Sequence, residues 1–445
     1  MIGKRIGKRL VSMLVIIGGV LLLLVGSSSV ALSKKVITFW YIEPEPFATM
    51  IEDSIKRFEE ANPDVDIKGV QYPHQQYKTK IRVVLAAGNP PDIWFLWGDE
   101  GVRPYIEAGM VHDITDLVHE MDAMETGVPI YDYFLPTAWD LVTQKGRIWG
   151  MPGCMITFCV FTYNKSLFNR YGVTIPETYS ELKSLIVKLQ QAGLEHPVAL
   201  ANKAKWAGLY WLAMISLRLG GIDLWEKVRS RDASFTNPVF VKTFEENQEL
   251  VRMGAFSEGF QGLDWDAGQD RALMYTEKAA LALYDNDLPD YMVTEAGTEF
   301  FEKVDVFPFP RIVGGKGDPN TGYGTPGAHF FHVSKTCPYL KEAVEFIPYL
   351  SDRIAIEERL RYGRVLPVKG IEDLLVKYPR AANIYDLFFG FGRVLANLDV
   401  IFFLPEMGDE IMDVSQDVLG LEITPEEAVK RLDEAITAAY GPLRK

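Results

Sequence analysis

Carboxylate side chains follow directly on two β-like runs of the sequence. Asp99 comes just after the run 92–97, and Asp285 and Asp287 come just after the apolar run 279–284. Ligands of open α/β sheets settle beyond the carboxyl ends of strands, so these three side chains are candidates for ligand contact. Carboxylates accept hydrogen bonds, and a hydroxyl-rich ligand supplies the matching donors.

Both positions also have a purely structural interpretation. Asp99 could cap a helix beginning at Glu100, because a short acidic side chain satisfies the free amides of a first turn. The stretch 285–287 could form an Asx-rich turn ahead of Pro289. We favour ligand contact in both cases.

Aromatic residues are numerous enough to supply flat apolar surfaces for such a ligand. The chain has nine tryptophans and 20 tyrosines. Trp206 and Trp211 lie in a segment with helical spacing, where large aromatic residues more often belong to the core. We predict ligand contact for Trp206 first and then for Trp211. Further candidates lie at predicted strand ends and near glycine-rich or proline-containing segments: Tyr41, Glu43, Trp97, Tyr323 and Arg364. For Tyr41 and Glu43, a packing tyrosine and an exposed loop acid are equally good interpretations.

Two patterns that elsewhere mark cofactor or metal sites stand in the wrong context. The stretch 322–327 fits G-x-G-x-x-G, but Pro326 interrupts it and a β-like run follows, whereas a dinucleotide site needs a helix there. His329 and His332 lie three residues apart in that run, so their side chains point to opposite faces and cannot form a metal pair. No nucleophile elbow or P-loop occurs in the sequence. We predict neither a metal nor a cofactor.

The elements that must position these residues alternate between strand and helix. The runs 36–41, 65–70 and 92–97 have the composition or alternation of strands, and helical spacing occurs at 50–61 and 77–87. This alternation predicts an α/β architecture with a largely parallel sheet covered on both faces.

The chain divides into two predicted domains. Near 148–153 it leaves a strand and enters a long apolar run, and the run 304–310 has the character of a return crossing. The predicted first domain is 36–150 with 304–352, and the second is 151–303 with 353–445.

The N-terminus has the order of a secretory signal peptide. Lys4, Arg5, Lys8 and Arg9 precede an uncharged stretch, and small residues then lead to a predicted cleavage after Ala31. An uncleaved membrane anchor is the alternative, because the apolar stretch approaches the length of a spanning helix. No cysteine precedes Cys154, which disfavours lipid attachment at the start. We expect an exported periplasmic or extracellular protein with 1–31 removed.

Charge and cysteine content restrict the partners further. The formal net charge is −14, and loss of the four basic residues of the signal segment takes it to −18. Such a surface repels phosphate backbones and anionic lipid, so nucleic acid is not expected as a partner. The three cysteines are an odd number, and we predict that all are buried thiols.

Short fragments spread along the chain resemble the extracellular solute-binding proteins of ABC importers, in the group that includes maltose-binding and other sugar-binding proteins. They occur in the order of that family and extend over almost the whole chain after the signal segment. The fragments are FEEANP at 58–63, LAAGNPPDI at 85–93, YIEAGM at 105–110, YNKSLF at 163–168 with PETYSEL at 176–182, and ITPEEA at 423–428.

The resemblance implies a two-domain periplasmic-binding-protein-like fold, in which each domain is a sheet flanked by helices and two or three crossings form a hinge. It implies a ligand held in the cleft between the domains and delivered to importer permease subunits, and we expect a monomer. In the maltose-binding relative, a carboxylate that lines up with Asp99 binds sugar hydroxyls. The many aromatic residues favour a carbohydrate, in particular an oligosaccharide.

Two other functions fit part of the pattern. A secreted carbohydrate-cleaving enzyme would also place paired carboxylates, here Asp99 and Asp285, beside aromatic residues. A binding protein for a non-sugar solute such as a glycerol phosphate would need clustered arginines, and the sequence has only scattered ones. We therefore expect binding without catalysis.

Overall fold

The computed structural model describes residues 33–153, 155–325, 327 and 329–444. The predicted signal segment and Cys154 lie outside them. The strands β1 to β12 are Lys35–Tyr41, Val65–Gln71, Ile93–Leu96, Thr143–Gln144, Arg147–Ile148, Thr157–Asn164, Val198–Ala199, Leu281–Asp285, Val304–Phe307, Thr321–Thr325, Phe330–Val333 and Arg393–Leu395. The α-helices α1 to α19 are Phe47–Ala61, His74–Ala86, Arg103–Glu107, Thr115–Glu120, Ile130–Tyr133, Pro136–Trp139, Lys165–Tyr171, Tyr179–Gln191, Trp206–Gly220, Ile222–Arg229, Pro238–Arg252, Gln269–Tyr275, Leu288–Phe301, Leu340–Phe346, Arg353–Leu360, Glu372–Leu375, Pro379–Gly390, Pro405–Leu419 and Pro425–Tyr440.

The first sheet has four strands in the order β11-β3-β1-β2. Strand β1 runs parallel to β2 and β3, and β11 pairs antiparallel with β3 at the edge. Alternate residues Ile37, Phe39 and Tyr41 of β1 are buried, which is the period of a strand with one face on a core. The α/β prediction for this part of the chain is confirmed.

The second sheet is mixed, whereas the sequence predicted a largely parallel arrangement. Its order is β12-β10-β6-β8-β7, and β9 also pairs with β6. Strand β6 runs antiparallel to β8, β9 and β10, while β7 and β12 each lie parallel to a neighbour. Strand β6 pairs with strands that come much later in the chain, and local alternation of strand and helix does not show in which direction such distant strands run.

Each sheet lies against its own hydrophobic core. One core joins the first sheet to α1, α14, α15 and α17, and the other joins the second sheet to α8, α9, α11, α18 and α19. We call the two units the first lobe and the second lobe. Among the described residues, no helix combines the length and apolarity needed to cross a membrane.

The lobes divide the chain later than the predicted domains do. Strand β9 at Val304–Phe307, expected to return to the first domain, pairs with β6 in the second sheet. After β3, the chain returns to the first sheet only at Phe330, where β11 begins. Apolar residues of α15 and α17, including Ile356 and Phe388, belong to the core of the first lobe rather than the second. The pattern of 304–310 indicates a strand, but a sequence pattern cannot show which sheet that strand joins.

Two crossing segments lie side by side between the lobes. Met151 forms an antiparallel bridge with Phe331, and Gly324 pairs with Phe158 in the same sense. Gly153 lies between these pairs, and a Cβ atom there would stand 1.6 Å from the carbonyl oxygen of His329. The crossing therefore requires a residue without a side chain at position 153.

Replacement of Gly153 by alanine should destabilise the protein. The clash is with backbone and cannot be relieved by a side-chain rotation, so we expect the free energy of unfolding to fall by about 2–3 kcal/mol or more. Urea denaturation measures this change. Gly262→Ala is the matched control, because nothing lies within 4 Å of the added Cβ there. Equal stability of the two variants would contradict the close crossing.

Candidate ligand-binding cleft

A cleft lies between the two lobes, and the space in it together with the open solvent at its mouth is about 790 Å³. Its walls come from strand ends, helix starts and the crossing segments. The first lobe contributes Ile42, Glu43, Pro44, His74, Lys78, Trp97, His329 and Arg364. The second lobe contributes Met155, Thr157, Trp206, Tyr210, Trp265, Tyr284, Asp285, Asp287, Tyr291, Tyr323, Asn397, Asp399 and Val400.

Aromatic rings form one wall of the cleft. Trp206 is the first residue of α9, and its ring meets Trp265 at 5.0 Å, Tyr210 at 5.7 Å and Tyr284 at 5.9 Å between ring centroids. Tyr291 meets Trp265 at 5.4 Å. The rest of α9 is buried almost all round, which fixes where its first turn emerges into the cleft. Edge-to-face packing of this kind holds the rings in a fixed arrangement.

Helix α2 of the first lobe reaches across the cleft to the second lobe. His74 lies between Trp97 and Trp206, with 5.8 Å between ring centroids on each side. Lys78, one turn later, lies over Trp97 at 5.0 Å and pairs with Asp399 of the second lobe at 3.4 Å. The spacing i and i+4 places both side chains on the same helix face. The two lobes are therefore in contact around the cleft.

Arg364 is buried against two carboxylates of the second lobe. Its Nε donates to Asp290 at 3.0 Å, Asp287 lies 3.7 Å from Nη2, and the guanidinium lies 3.5 Å from the ring centroid of Phe47. Burial raises the pKa of Asp290 to about 7 and also raises the pKa of Asp287, although the charge of Arg364 opposes both shifts. The guanidinium of Arg364 is thus the neighbouring cation of both buried carboxyl groups, Asp287 and Asp290.

Glu43 is held by His329 from the neighbouring crossing segment. The Nδ1 atom of His329 lies 2.7 Å from Oε1 of Glu43, and both side chains are buried. Burial by itself raises the pKa of Glu43, but His329, Arg364 and Arg359 more than offset it, so the pKa lies below its ordinary value. Glu43 is therefore ionised and can accept hydrogen bonds.

Asp285 differs from the other acids of the cleft. Its Oδ2 accepts a hydrogen bond from the Tyr210 hydroxyl at 2.6 Å, while Oδ1 has no hydrogen-bond partner among the described residues. Burial and the nearby charges of Asp287 and Asp399 raise its pKa to about 8, against the opposing effects of the Tyr210 hydrogen bond and of Lys78. The free acid is favoured at neutral pH.

Seven of the ten predicted ligand contacts line the cleft: Glu43, Trp97, Trp206, Asp285, Asp287, Tyr323 and Arg364. They come from distant parts of the sequence and meet because strand ends and helix starts converge between the lobes. The Tyr323 hydroxyl accepts from the backbone amide of Leu398 at 3.1 Å, which fixes its ring beside Tyr210. Contact of these seven with a ligand stays a prediction.

The other three predicted contacts lie away from the cleft lining. Tyr41 is buried in the first core and stacks on Phe39, because it faces the same side of β1 as the core residues. Trp211 is fully buried on the inner face of α9. Asp99 begins a short 3-10 helix at Asp99–Gly101 and lies 3.3 Å from Arg229. The Asp99 carboxylate thus pairs with Arg229 and does not line the cleft.

Several lining residues escaped the sequence prediction. Trp265, His74 and Lys78 lie in a loop and in the first turns of α2, where no local pattern marks a cleft. Asn397 and Asp399 follow strand β12 much as Asp287 follows β8. That signal was available in principle, but β12 has only three residues and does not stand out as a strand.

Comparison with known proteins identifies the family. Residues 43–353 match the family described as bacterial extracellular solute-binding protein. The multiple sugar-binding protein of Streptococcus mutans is 24% identical over 80% of this chain and 81% of its own length. Two uncharacterised ABC transporter extracellular-binding proteins of Pyrococcus horikoshii are 23% and 25% identical, and the chain spans only 54% and 50% of their lengths.

Solved structures share the fold over nearly the whole chain. A structure from work on xylan utilisation by the thermophilic bacterium Caldanaerobius polysaccharolyticus is 28% identical, with a TM-score of 0.79 and coverage of 90% of this chain and 99% of the other. A chitin oligosaccharide binding protein is 23% identical, with a TM-score of 0.80 and coverage of 92% and 99%. The predicted two-domain fold is therefore confirmed.

Asp285→Asn should change how stability depends on pH. The folded state keeps a proton on Asp285 up to a pKa of about 8, whereas the unfolded chain releases it near pH 4, so this residue makes the protein less stable as pH rises from 4 to 8. Asparagine cannot titrate. We expect the variant to gain more than about 1 kcal/mol over the wild type between pH 5 and pH 8 in urea denaturation.

A matched control uses an aspartate outside the cleft. Asp409 is half exposed on α18 and pairs with Arg82. Asp409→Asn should follow the pH dependence of the wild type. If the stability of Asp285→Asn also depends on pH as that of the wild type does, Asp285 does not hold a proton in the folded protein at neutral pH.

Proposed function

The chain belongs to the bacterial extracellular solute-binding proteins, and from that premise we propose that it is the binding component of an ABC importer that captures a carbohydrate in the cleft. The protein is exported, holds the sugar without cleaving it, and presents the loaded form to the permease subunits. An oligosaccharide is the favoured ligand class. Similar proteins, among them a multiple sugar-binding protein and a chitin oligosaccharide binding protein, support this assignment by their names.

The observation that carries the proposal is the pairing of an aromatic wall with carboxylates in one cleft. Trp206 and Trp265 supply flat apolar faces, and Glu43, Asp287 and Asp399 supply acceptors beside them. A pyranose ring has apolar faces bordered by hydroxyls, so it needs both kinds of group at once. Clefts between domains are also where small-molecule ligands are usually bound.

Polar contacts across the cleft support closure around the ligand. Gln75, Lys78 and Arg82 lie on one face of α2, and each meets an aspartate of the second lobe. The backbone amide of Gln75 donates to the Asp266 carboxylate at 3.0 Å, and Arg82 lies 3.1 Å from Asp409. Together with the Lys78 pair, these contacts would form when the lobes close by a hinge motion and be lost when they open.

The arrangement favours binding over hydrolysis. A pair of carboxylates that cleaves a glycosidic bond must flank that bond. The predicted pair is not assembled, because Asp99 pairs with Arg229 away from the cleft lining while Asp285 faces the cleft. A phosphorylated ligand is also disfavoured, because the cationic lining residues Lys78 and Arg364 already face carboxylates.

Titration calorimetry with a panel of mono- and oligosaccharides tests the proposal. At least one sugar should bind with a stoichiometry of one, and the sugar should be recovered intact after hours of incubation. Release of shorter products would overturn the binding assignment in favour of an enzyme.

Trp206→Ala should weaken sugar binding at least about tenfold, which corresponds to about 1.4 kcal/mol, because a buried aromatic platform is lost. Trp40→Ala is the matched control. Trp40 packs against Tyr72 and Lys80 in the first lobe and does not line the cleft. Equal sugar affinities for the two variants would show that Trp206 does not contribute to sugar binding.

A further inference from the structure

The charged groups of the cleft do not balance. Four carboxylates line it, from Glu43, Asp285, Asp287 and Asp399, against the two permanent cations Lys78 and Arg364. Asp290, hydrogen-bonded to Arg364, adds a fifth acid just behind the wall. The acids of the cleft therefore outnumber its permanent cations.

Three of the four acids have basic partners. Asp399 pairs with Lys78 at 3.4 Å, Asp287 lies 3.7 Å from Arg364, and Glu43 meets His329. Asp285 has no ion pair among the described residues. The acid without a basic partner is therefore Asp285, and its raised pKa keeps a proton on it in the empty cleft.

The geometry of Asp285 leaves one oxygen for a ligand. Asp285 is the last residue of β8, and its Oδ2 is occupied by the Tyr210 hydroxyl. Its Oδ1 is shielded from solvent and has no hydrogen-bond partner among the described residues. An acceptor in this state is costly to leave unmatched, and the rise in its pKa has the same physical origin.

The rings beside Asp285 also suit a cation. Tyr210 holds the carboxylate and packs against Trp206 at 5.7 Å and Tyr284 at 6.2 Å between ring centroids. Ring faces attract ammonium groups through their quadrupole, most strongly where water is excluded. A carboxylate next to such rings recognises an ammonium with a charge-assisted hydrogen bond. A neutral hydroxyl could fill the same oxygen, but only a cation can replace the proton that Asp285 holds in the empty cleft and leave an ionised carboxylate paired.

We propose that the carbohydrate bound in this cleft carries a protonated amine, and that Asp285 is the specificity residue that receives the ammonium group. The inference rests on the proposed function, since it names the class of sugar that the same cleft selects. It assigns to Asp285 a role that the other acids of the cleft, already paired, do not have.

The experiment compares sugars that differ only at one substituent. Pairs of glucose with glucosamine, galactose with galactosamine, and mannose with mannosamine, together with cellobiose and its diamino counterpart, are titrated calorimetrically at about pH 6, where the amines are protonated. N,N′-diacetylchitobiose serves as the neutral, bulkier derivative. We expect at least one amino sugar to bind about tenfold or more tightly than its hydroxyl counterpart.

Two variants assign the preference to Asp285. Asp285→Asn keeps the shape and should bring the members of the preferred pair to within about threefold of each other. Asp373→Asn removes one surface charge at the Arg353 pair, away from the cleft and from the contacts between the lobes, and should keep the wild-type preference. A preference that survives in Asp285→Asn overturns the assignment of this residue.

The outcomes separate the inference from the proposed function. If neutral sugars bind and no amino sugar binds more tightly than its counterpart, the inference is wrong and the importer function stands. If none of these sugars and no member of the wider panel binds, both fall. The wild-type comparison decides the sugar class even if Asp285→Asn fails to fold.

Discussion

The buried guanidinium of Arg364 is the charge on which the cleft depends. Arg364 follows α15, whose apolar residues belong to the core of the first lobe, yet its Nε donates to Asp290 on α13 of the second lobe. It also lies close to Asp287 and contributes to keeping Glu43 ionised. A buried carboxylate without a cation is costly, so one side chain makes it possible for acids from both lobes to share a desolvated cleft.

The same electrostatics explain why the site is not built for stability alone. Arg364 and Lys78 offset the charge of the acids that they pair with. Asp285 has no such partner among the described residues. A group that destabilises the empty protein is retained where a ligand compensates for it, which is a recurrent feature of binding sites. The proton on Asp285 is then a property of the unliganded cleft, and a cationic ligand takes its place.

The local patterns in the sequence predicted the elements, while the partners of those elements were set by long-range packing. The strands near 36–41 and 92–97 and the aromatic helix that begins at Trp206 are present where alternation and spacing indicated. Seven predicted contacts reach the cleft because strand ends converge there. The sequence could not show that β9 pairs in the second sheet, or that Asp99 turns toward Arg229. Both depend on residues far away in the chain.

The central claim is that a sugar is held intact between the lobes. A crystal structure of the protein grown with the sugar that binds most tightly tests it most directly. The account predicts a sugar ring against Trp206, with at least one substituent within hydrogen-bond distance of Asp285 or Asp287 and residues of both lobes in contact with the same molecule. An empty cleft with sugar bound elsewhere, or a cleaved product in its place, would contradict the account.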